Sequence, residues 1–234
     1  RVSVNGKEYQ LNRDFQPVLQ LTRSGSQFFS EVVFAGHGIV DSAYDDYAGK
    51  DVRGKLVLLL DGAPSSYKSN KKGFRAPGGL YGKYFSAVKK GAAGVLIVAP
   101  GFPRKEQPAL GNMYTNLYTA EQQPSLYSIS PDVAASLVGS EWNSLQEKAK
   151  TSQVPANVYK ANTMLDLRKD VQMLESTNVM GYMEGSDKKD EWLVITAHYD
   201  HLGKRGNVIY YGADDDGSGT VGVLEMAEAF AKEK

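Results

Sequence analysis

The chain has 234 residues, with 41% hydrophobic and 23% charged, so it can hold one large domain or two small ones and is not disordered throughout. Lysine plus arginine equals aspartate plus glutamate, at 27 each. This neutral balance argues against nucleic acid as a partner, because phosphate binding usually needs a basic excess. The absence of cysteine excludes disulfides, thiolate metal sites and cysteine nucleophiles. No apolar run approaches the roughly 20 residues of a membrane span, so we predict none.

Residues 1–62 are predicted to form strands and turns. VSVNGKEYQL alternates around an Asn-Gly pair, which is typical of a hairpin, and FFSEVVF is rich in aromatic and β-branched residues. LVLLL predicts a buried strand, followed by a loop rich in Gly, Pro, Ser and Lys whose charges we expect to be solvated. LYGKYFSAVKKGA then has helical spacing with Gly91 near its end, and GVLIV predicts another buried strand. These elements make a small α/β unit.

The second half begins with two short predicted helices, PDVAASLVG with Pro131 at its start and EWNSLQEKA. From about Thr163 the sequence changes character, and LDLRKDVQMLESTNVMGYMEG predicts a hairpin of two long strands. WLVIT predicts a buried strand, and GTVGVLEMAEAFAKEK predicts an amphipathic helix. We therefore predict one domain over residues 1–162 and another over 163–234.

Two polar motifs flank the loop after the predicted strand WLVIT. His198 lies at the strand's carboxyl end, where ligands bind in open α/β sheets. Asp200 follows two residues later, and a carboxylate there can accept the second ring N–H of the histidine. The three adjacent carboxylates Asp214, Asp215 and Asp216 repel one another unless a cation or solvent compensates. Histidine and carboxylate ligands suit zinc, and a carboxylate can bridge two ions.

Each motif alone has a simpler interpretation. A histidine after a strand is more often a surface or hydrogen-bonded residue than a ligand. An aspartate triplet before Gly-Ser-Gly is usually a loop with a helix cap, or a calcium-type site. The two motifs together favour a metal site over either simpler interpretation. We predict His201 to be a structural or pocket-rim residue and His37 to be a loop histidine.

ITAHYDHLG followed by YYGADDDGSGTVGVLEMAEAF closely resembles the start of the catalytic domain in metallopeptidase family 28, over residues 166–234. Members are two-zinc aminopeptidases with an α/β fold around a mixed sheet. The resemblance implies that His198 is a ligand of one zinc, that Asp215 bridges both zincs and that Asp200 orients the histidine. It also implies a cis peptide bond between Asp215 and Asp216.

DVRGKLVLLLDG and GKYFSAVKKGAAGVLIVAP resemble the strand and the helix–strand core of a protease-associated domain, over roughly residues 15–160. The sequence departs from that pattern in DGAPSS and the lysine-rich loop after the strand. The expected fold is therefore α/β, with a β-rich α/β protease-associated domain and the N-terminal part of a mixed-sheet zinc aminopeptidase domain. The resemblance also implies an exported protein, periplasmic or extracellular, although this chain carries no signal peptide.

The resemblance places the family's general base, in a Glu-Glu pair, and its remaining zinc ligands beyond Lys234. Glu225 and Glu228 do not match that motif. We therefore expect this polypeptide alone to bind zinc weakly and to be inactive. Its half-built sheet would have an exposed edge, so either a second chain with the remaining portion completes it, or the structure is distorted or packed against a neighbour. The expected reaction of the intact enzyme is hydrolysis of the N-terminal bond of a peptide or protein substrate by a zinc-bridged water.

Two alternatives stay open. Some proteins of this architecture have lost their metals and act as receptors or peptide-binding proteins, but His198, Asp200 and Asp215 are all present here. A calcium-binding β-rich adhesion module is disfavoured, because the spacing of DDDGSG does not match an EF-hand loop.

Overall fold

The computed structural model describes residues 1–42, 44–104, 123–151, 153–170, 173 and 175–233. The chain divides into two compact units, Arg1–Val171 and Gln172–Lys234. The division falls after residue 171 and not after residue 162 as predicted. The reason is that strand β10, Val158–Leu167, pairs with strands on both sides and so belongs to the sheet of the N-terminal unit. Most of the polar stretch predicted between residues 101 and 123 lies outside the described residues.

The N-terminal unit is built on an eight-stranded mixed sheet in the order β2-β1-β10-β4-β7-β8-β9-β3. Strands β4, β7, β8 and β9 run parallel to one another, and the outer strands are antiparallel to their neighbours. The sheet strands are β1 Val2–Val4, β2 Lys7–Tyr9, β3 Phe15–Pro17, β4 Gly25–Phe34, β7 Leu56–Leu60, β8 Gly94–Val98, β9 Ser125–Ile129 and β10 Val158–Leu167. A small separate hairpin is formed by β5, Val40–Asp41, and β6, Tyr44–Asp45.

Three helices of the N-terminal unit follow the predicted pattern. Helix α1, Leu80–Lys89, connects β7 to β8, which confirms the predicted strand–loop–helix–strand unit. Helix α2, Pro131–Val138, begins at the predicted proline, and α3 spans Trp142–Lys150. The first hairpin turns at Asn5 and Gly6, whose φ angles of 50° and 84° suit an Asn-Gly pair.

The sheet of the N-terminal unit buries a hydrophobic cluster on each face. One cluster joins β1, β4, β7 and β8 to helices α2 and α3, and includes Phe34 in edge contact with Trp142 at 5.8 Å between ring centroids. The other joins alternate residues of β4, β7 and β8 to helix α1, with Tyr84 of that helix fully buried. Because successive side chains of a strand point to opposite faces, apolar runs such as LVLLL supply both clusters.

The lysine-rich loop after β7 is anchored, which corrects the expectation that its charges are only solvated. Lys71 forms an ion pair with Asp41 of the β5–β6 hairpin. The hydroxyls of Tyr67 and Ser69 donate to the same carboxylate, at 2.9 Å and 3.1 Å. These donors hold the pKa of Asp41 well below its usual range, the ammonium of Lys71 being the largest cause.

Lys83 of helix α1 is fully buried, and its ammonium donates to the backbone oxygens of Leu60, at 2.8 Å, and Gly62. Burial lowers its pKa from 10.5 to about 8. At a pH between these two pKa values, Lys83 keeps its proton in the unfolded chain and has lost it in the folded chain. Raising the pH through this range therefore favours folding. We expect the free energy of unfolding to rise by about 2 kcal/mol between pH 7.5 and 9.5.

Urea unfolding of the wild-type chain and of Lys83→Met across this pH range tests the assignment. The methionine variant, which cannot titrate at this position, should lose most of the slope. An equal slope in both proteins would show that another group causes it. The measurement should stop at pH 9.5. Burial raises the pKa of Tyr84 to about 12, so at higher pH this tyrosine ionises more readily in the unfolded chain than in the folded one, which opposes folding.

The C-terminal unit contains little regular structure before its helix. A short hairpin joins β11, Gly203–Arg205, to β12, Val208–Tyr210, and helix α4 spans Ser218–Lys232. The predicted long hairpin over residues 165–185 is wrong, since its described residues after Leu167 form no strand. The predicted buried strand WLVIT is also wrong: residues 192–196 form no strand with any of the described residues, and Trp192 is 72% exposed.

Residues 192–196 lack the surroundings that a strand needs. An apolar strand is stable when neighbouring strands take up its backbone hydrogen bonds and other elements cover its faces. Within the described part of the C-terminal unit neither condition is met for residues 192–196. The apolar side of α4 is likewise uncovered, with Leu224 and Phe230 exposed. Among the described helices, none combines the length and apolar character needed to cross a bilayer.

Candidate metal centre

The candidate site brings together two segments of the C-terminal unit, the end of the AHYDHLG motif and the DDDGSG turn. Residues Ala213–Gly217 form an irregular turn that leads directly into helix α4. Within this turn the backbones of Asp215 and Asp216 are not helical. The side chains of both residues face the 198–200 segment. The peptide bond between these two residues is cis, as the family resemblance implied.

His198 and Asp215, the two residues predicted to be metal ligands, face each other. Their Nε2 and Oδ1 atoms are 3.2 Å apart. Two ligand atoms held about 2.0–2.1 Å from a tetrahedral zinc ion are separated by about 3.3 Å, so the pair matches the spacing that zinc requires. Imidazole nitrogen and carboxylate oxygen are also the donor types that zinc accepts.

Asp200 contacts His198 mainly through its backbone and not, as predicted, through its carboxylate. The Nδ1 atom of His198 lies 2.8 Å from the backbone oxygen of Asp200 and 3.4 Å from the carboxylate oxygen Oδ1. A carbonyl oxygen can only accept, so Nδ1 must carry the proton. The consequence for the tautomer is the predicted one, because a neutral ring then presents the lone pair of Nε2 toward Asp215.

That arrangement places two acceptors opposite each other when the histidine is neutral. The lone pair of Nε2 and the carboxylate of Asp215 repel unless a proton or a cation lies between them. The pKa of His198 is accordingly raised, first by the hydrogen bond to the backbone of Asp200 and then by nearby carboxylates. The pair is therefore built to hold positive charge, either a proton or a metal ion.

The described residues supply only part of a zinc site. Among them, no cluster of three or more histidine, aspartate or glutamate side chains is arranged to hold a metal ion. The side chains of His198 and Asp215 are also open to solvent, at 50% and 81% exposure. Catalytic zinc sites use three protein ligands, so the two residues fit zinc as members of a larger set.

The contributions of Asp216 and Thr220 were not assigned from the sequence. The backbone N–H of His198 donates to Oδ2 of Asp216 at 3.2 Å, and the hydroxyl of Thr220 donates to the backbone oxygen of His198 at 2.9 Å. The sequence signal for Asp216 was its place in the triplet before a helix, where a carboxylate is favoured. A threonine in the first turn of a helix gives no comparable signal.

The remaining candidates stay outside the centre. The ring of His201, predicted to be a structural or pocket-rim residue, lies beside Gly212, and the residue is exposed. His37 is in a turn of the N-terminal unit, with Nδ1 3.2 Å from the backbone oxygen of Asp61. Glu225 and Glu228 line a shallow depression on helix α4 near its C-terminal end.

Comparison with known proteins finds a similarity in the C-terminal segment. Residues 178–234 match the model of the family described as "Peptidase family M28". A solved aminopeptidase from Aneurinibacillus sp. strain AM-1 is similar at 16% identity and a TM-score of 0.37, over 70% of this chain. The chain spans about 30% of the length of that aminopeptidase. No curated protein matches the chain. The matched residues 178–234, which carry His198, Asp215 and Asp216, are thus similar to peptidase family M28.

Proposed function

We propose that the C-terminal unit supplies part of the zinc centre of an aminopeptidase. His198 would hold zinc through Nε2, and Asp215 would supply a carboxylate ligand to the same centre. The observation that carries this proposal is the 3.2 Å approach of Nε2 to the Asp215 carboxylate, in a ring whose Nδ1 is committed to the Asp200 carbonyl. The family match over residues 178–234 supports peptidase chemistry for the same segment.

In the proposed centre, Asp200 orients the imidazole of His198 and Asp215 supplies a negative charge. The Asp200 carbonyl keeps the Nδ1 proton in place, so Nε2 is the free ligand atom. Asp215 has a second carboxylate oxygen available beyond the one that faces His198. Zinc, when bound, would activate a water molecule and polarise the peptide carbonyl. Such a reaction also needs a general base and further zinc ligands besides these residues.

We further propose that the N-terminal unit is a protease-associated domain that shapes access to the peptidase, in a protein that is exported. The parallel β7–α1–β8 unit, in the segments that resemble such domains, supports this proposal.

The test is aminopeptidase activity of the full-length protein. We expect it to release the N-terminal residue from aminoacyl chromogenic substrates, to lose activity on chelation and to recover it with zinc. His198→Ala should lower kcat/KM at least about 100-fold, since even residues that only support zinc ligands are worth 10–100-fold. Peptide binding without turnover, unchanged by chelation, would instead favour the receptor alternative.

A further inference from the structure

Both backbone polar groups of His198 are bonded to the start of helix α4. Its N–H donates to the carboxylate of Asp216 at 3.2 Å, and its carbonyl oxygen accepts from the hydroxyl of Thr220 at 2.9 Å. Asp216 and Thr220 are four residues apart and lie on either side of the first residues of α4, which begins at Ser218. The two side chains therefore hold one residue of the facing segment from both sides.

These two bonds decide where the imidazole stands relative to Asp215. The hydrogen bond from Nδ1 to the Asp200 carbonyl lies within one segment, so it sets the ring orientation but not the distance to the turn. Residues 192–200 have no strand partner among the described residues that would fix the segment in another way. The bonds to Asp216 and Thr220 cross from one segment to the other and supply that restraint.

Gly219 makes the arrangement possible by leaving space for the carboxylate of Asp216. A Cβ at residue 219 would lie 2.8 Å from Cγ of Asp216, a distance that real side chains do not tolerate. Any larger residue would displace the carboxylate from the N–H of His198. Gly219 and the side chains of Asp216 and Thr220 therefore act together on the backbone of His198.

We propose that Asp216, Gly219 and Thr220 form a main-chain clamp that positions His198 for metal binding. The clamp residues bind neither metal nor substrate and act only through the backbone of His198. Their role as positioning residues rests on the proposed zinc function, and the geometry of the clamp can also be tested without metal.

Zinc titration calorimetry of the full 234-residue chain compares paired variants. Thr220→Val keeps the shape but loses the donor, and should weaken zinc binding about tenfold, whereas Thr220→Ser keeps the hydroxyl and should restore most of the affinity. Asp216→Ala should weaken binding similarly, whereas Asp216→Asn retains an acceptor oxygen and should bind nearly as well as the wild type. Far-UV circular dichroism should be unchanged in all four.

A metal-free readout separates the clamp from the zinc proposal. The chain has three histidines, so the imidazole NMR signals of His198 can be assigned by substitution. Those signals should shift in Thr220→Val and Asp216→Ala and remain near the wild type in Thr220→Ser and Asp216→Asn.

Wild-type signals in Thr220→Val and Asp216→Ala would overturn the clamp. An Asp216→Asn variant as defective as Asp216→Ala would also overturn it for Asp216, since charge and not hydrogen bonding would then be the cause. A chain that binds no zinc yet shows the expected NMR pattern would reject the zinc function and support the clamp.

Discussion

Replacing Phe34 with alanine is expected to lower the free energy of unfolding of the N-terminal unit by about 3–5 kcal/mol. Phe34 is the last residue of β4 and is 1% exposed, packed edge-on against Trp142 of helix α3. The substitution removes the buried ring and leaves a cavity between the sheet and the helices. Urea unfolding followed by circular dichroism and by the fluorescence of Trp142 measures the loss.

Phe28 provides the matched control, because it lies on the same strand and is 74% exposed. Phe28→Ala should change the free energy of unfolding by no more than about 0.5 kcal/mol. Equal losses in the two variants would mean that β4 does not bury Phe34 and expose Phe28 as the structure describes. A negligible loss in Phe34→Ala would contradict the assignment of the core.

Replacing His198 with alanine is expected to weaken zinc binding by the 234-residue chain at least about tenfold. The wild-type chain should itself bind zinc weakly, because the described residues bring only His198 and Asp215 together as ligands. Removing the imidazole leaves only the exposed carboxylate of Asp215. That carboxylate alone holds zinc no better than other surface carboxylates. Calorimetric titration with zinc measures both affinities.

His201→Ala is the control for this titration, since His201 lies three residues away in the same segment and packs against Gly212. The affinity of the His201→Ala variant for zinc should equal that of the wild-type chain. If His201→Ala loses affinity and His198→Ala retains it, the assignment of the ligand is wrong.

Much of the N-terminal unit could be predicted because its signals are local. The Asn-Gly turn at residues 5–6, the apolar strand Leu56–Leu60 and the proline that starts α2 each determine their own element. The order of the strands could not be predicted in the same way. The assignment of β10 to the first sheet depends on pairing with β1 and β4, which lie far away in sequence.

The C-terminal unit shows where local patterns mislead. WLVIT has the composition of a buried strand, but composition does not supply the hydrogen-bonding neighbours that a strand needs. The helix α4 was predicted correctly because its backbone bonds are internal to the segment. A strand depends on partners, whereas a helix forms from its own residues.

The candidate site was predicted in its residue types and only partly in its contacts. The approach of His198 to Asp215 agrees with the expectation from the two motifs. The nearer acceptor for Nδ1 proved to be the backbone of Asp200 and not its side chain. Hydrogen bonds to backbone atoms, such as those from Asp216 and Thr220, depend on local geometry that residue types do not encode.

The central claim is that His198 and Asp215 are two ligands of one zinc ion. Anomalous diffraction at the zinc edge from crystals of the chain grown with zinc tests it most directly. We predict a peak about 2.0–2.2 Å from both Nε2 of His198 and a carboxylate oxygen of Asp215. A zinc peak elsewhere, with these two atoms still in direct contact, would contradict the account.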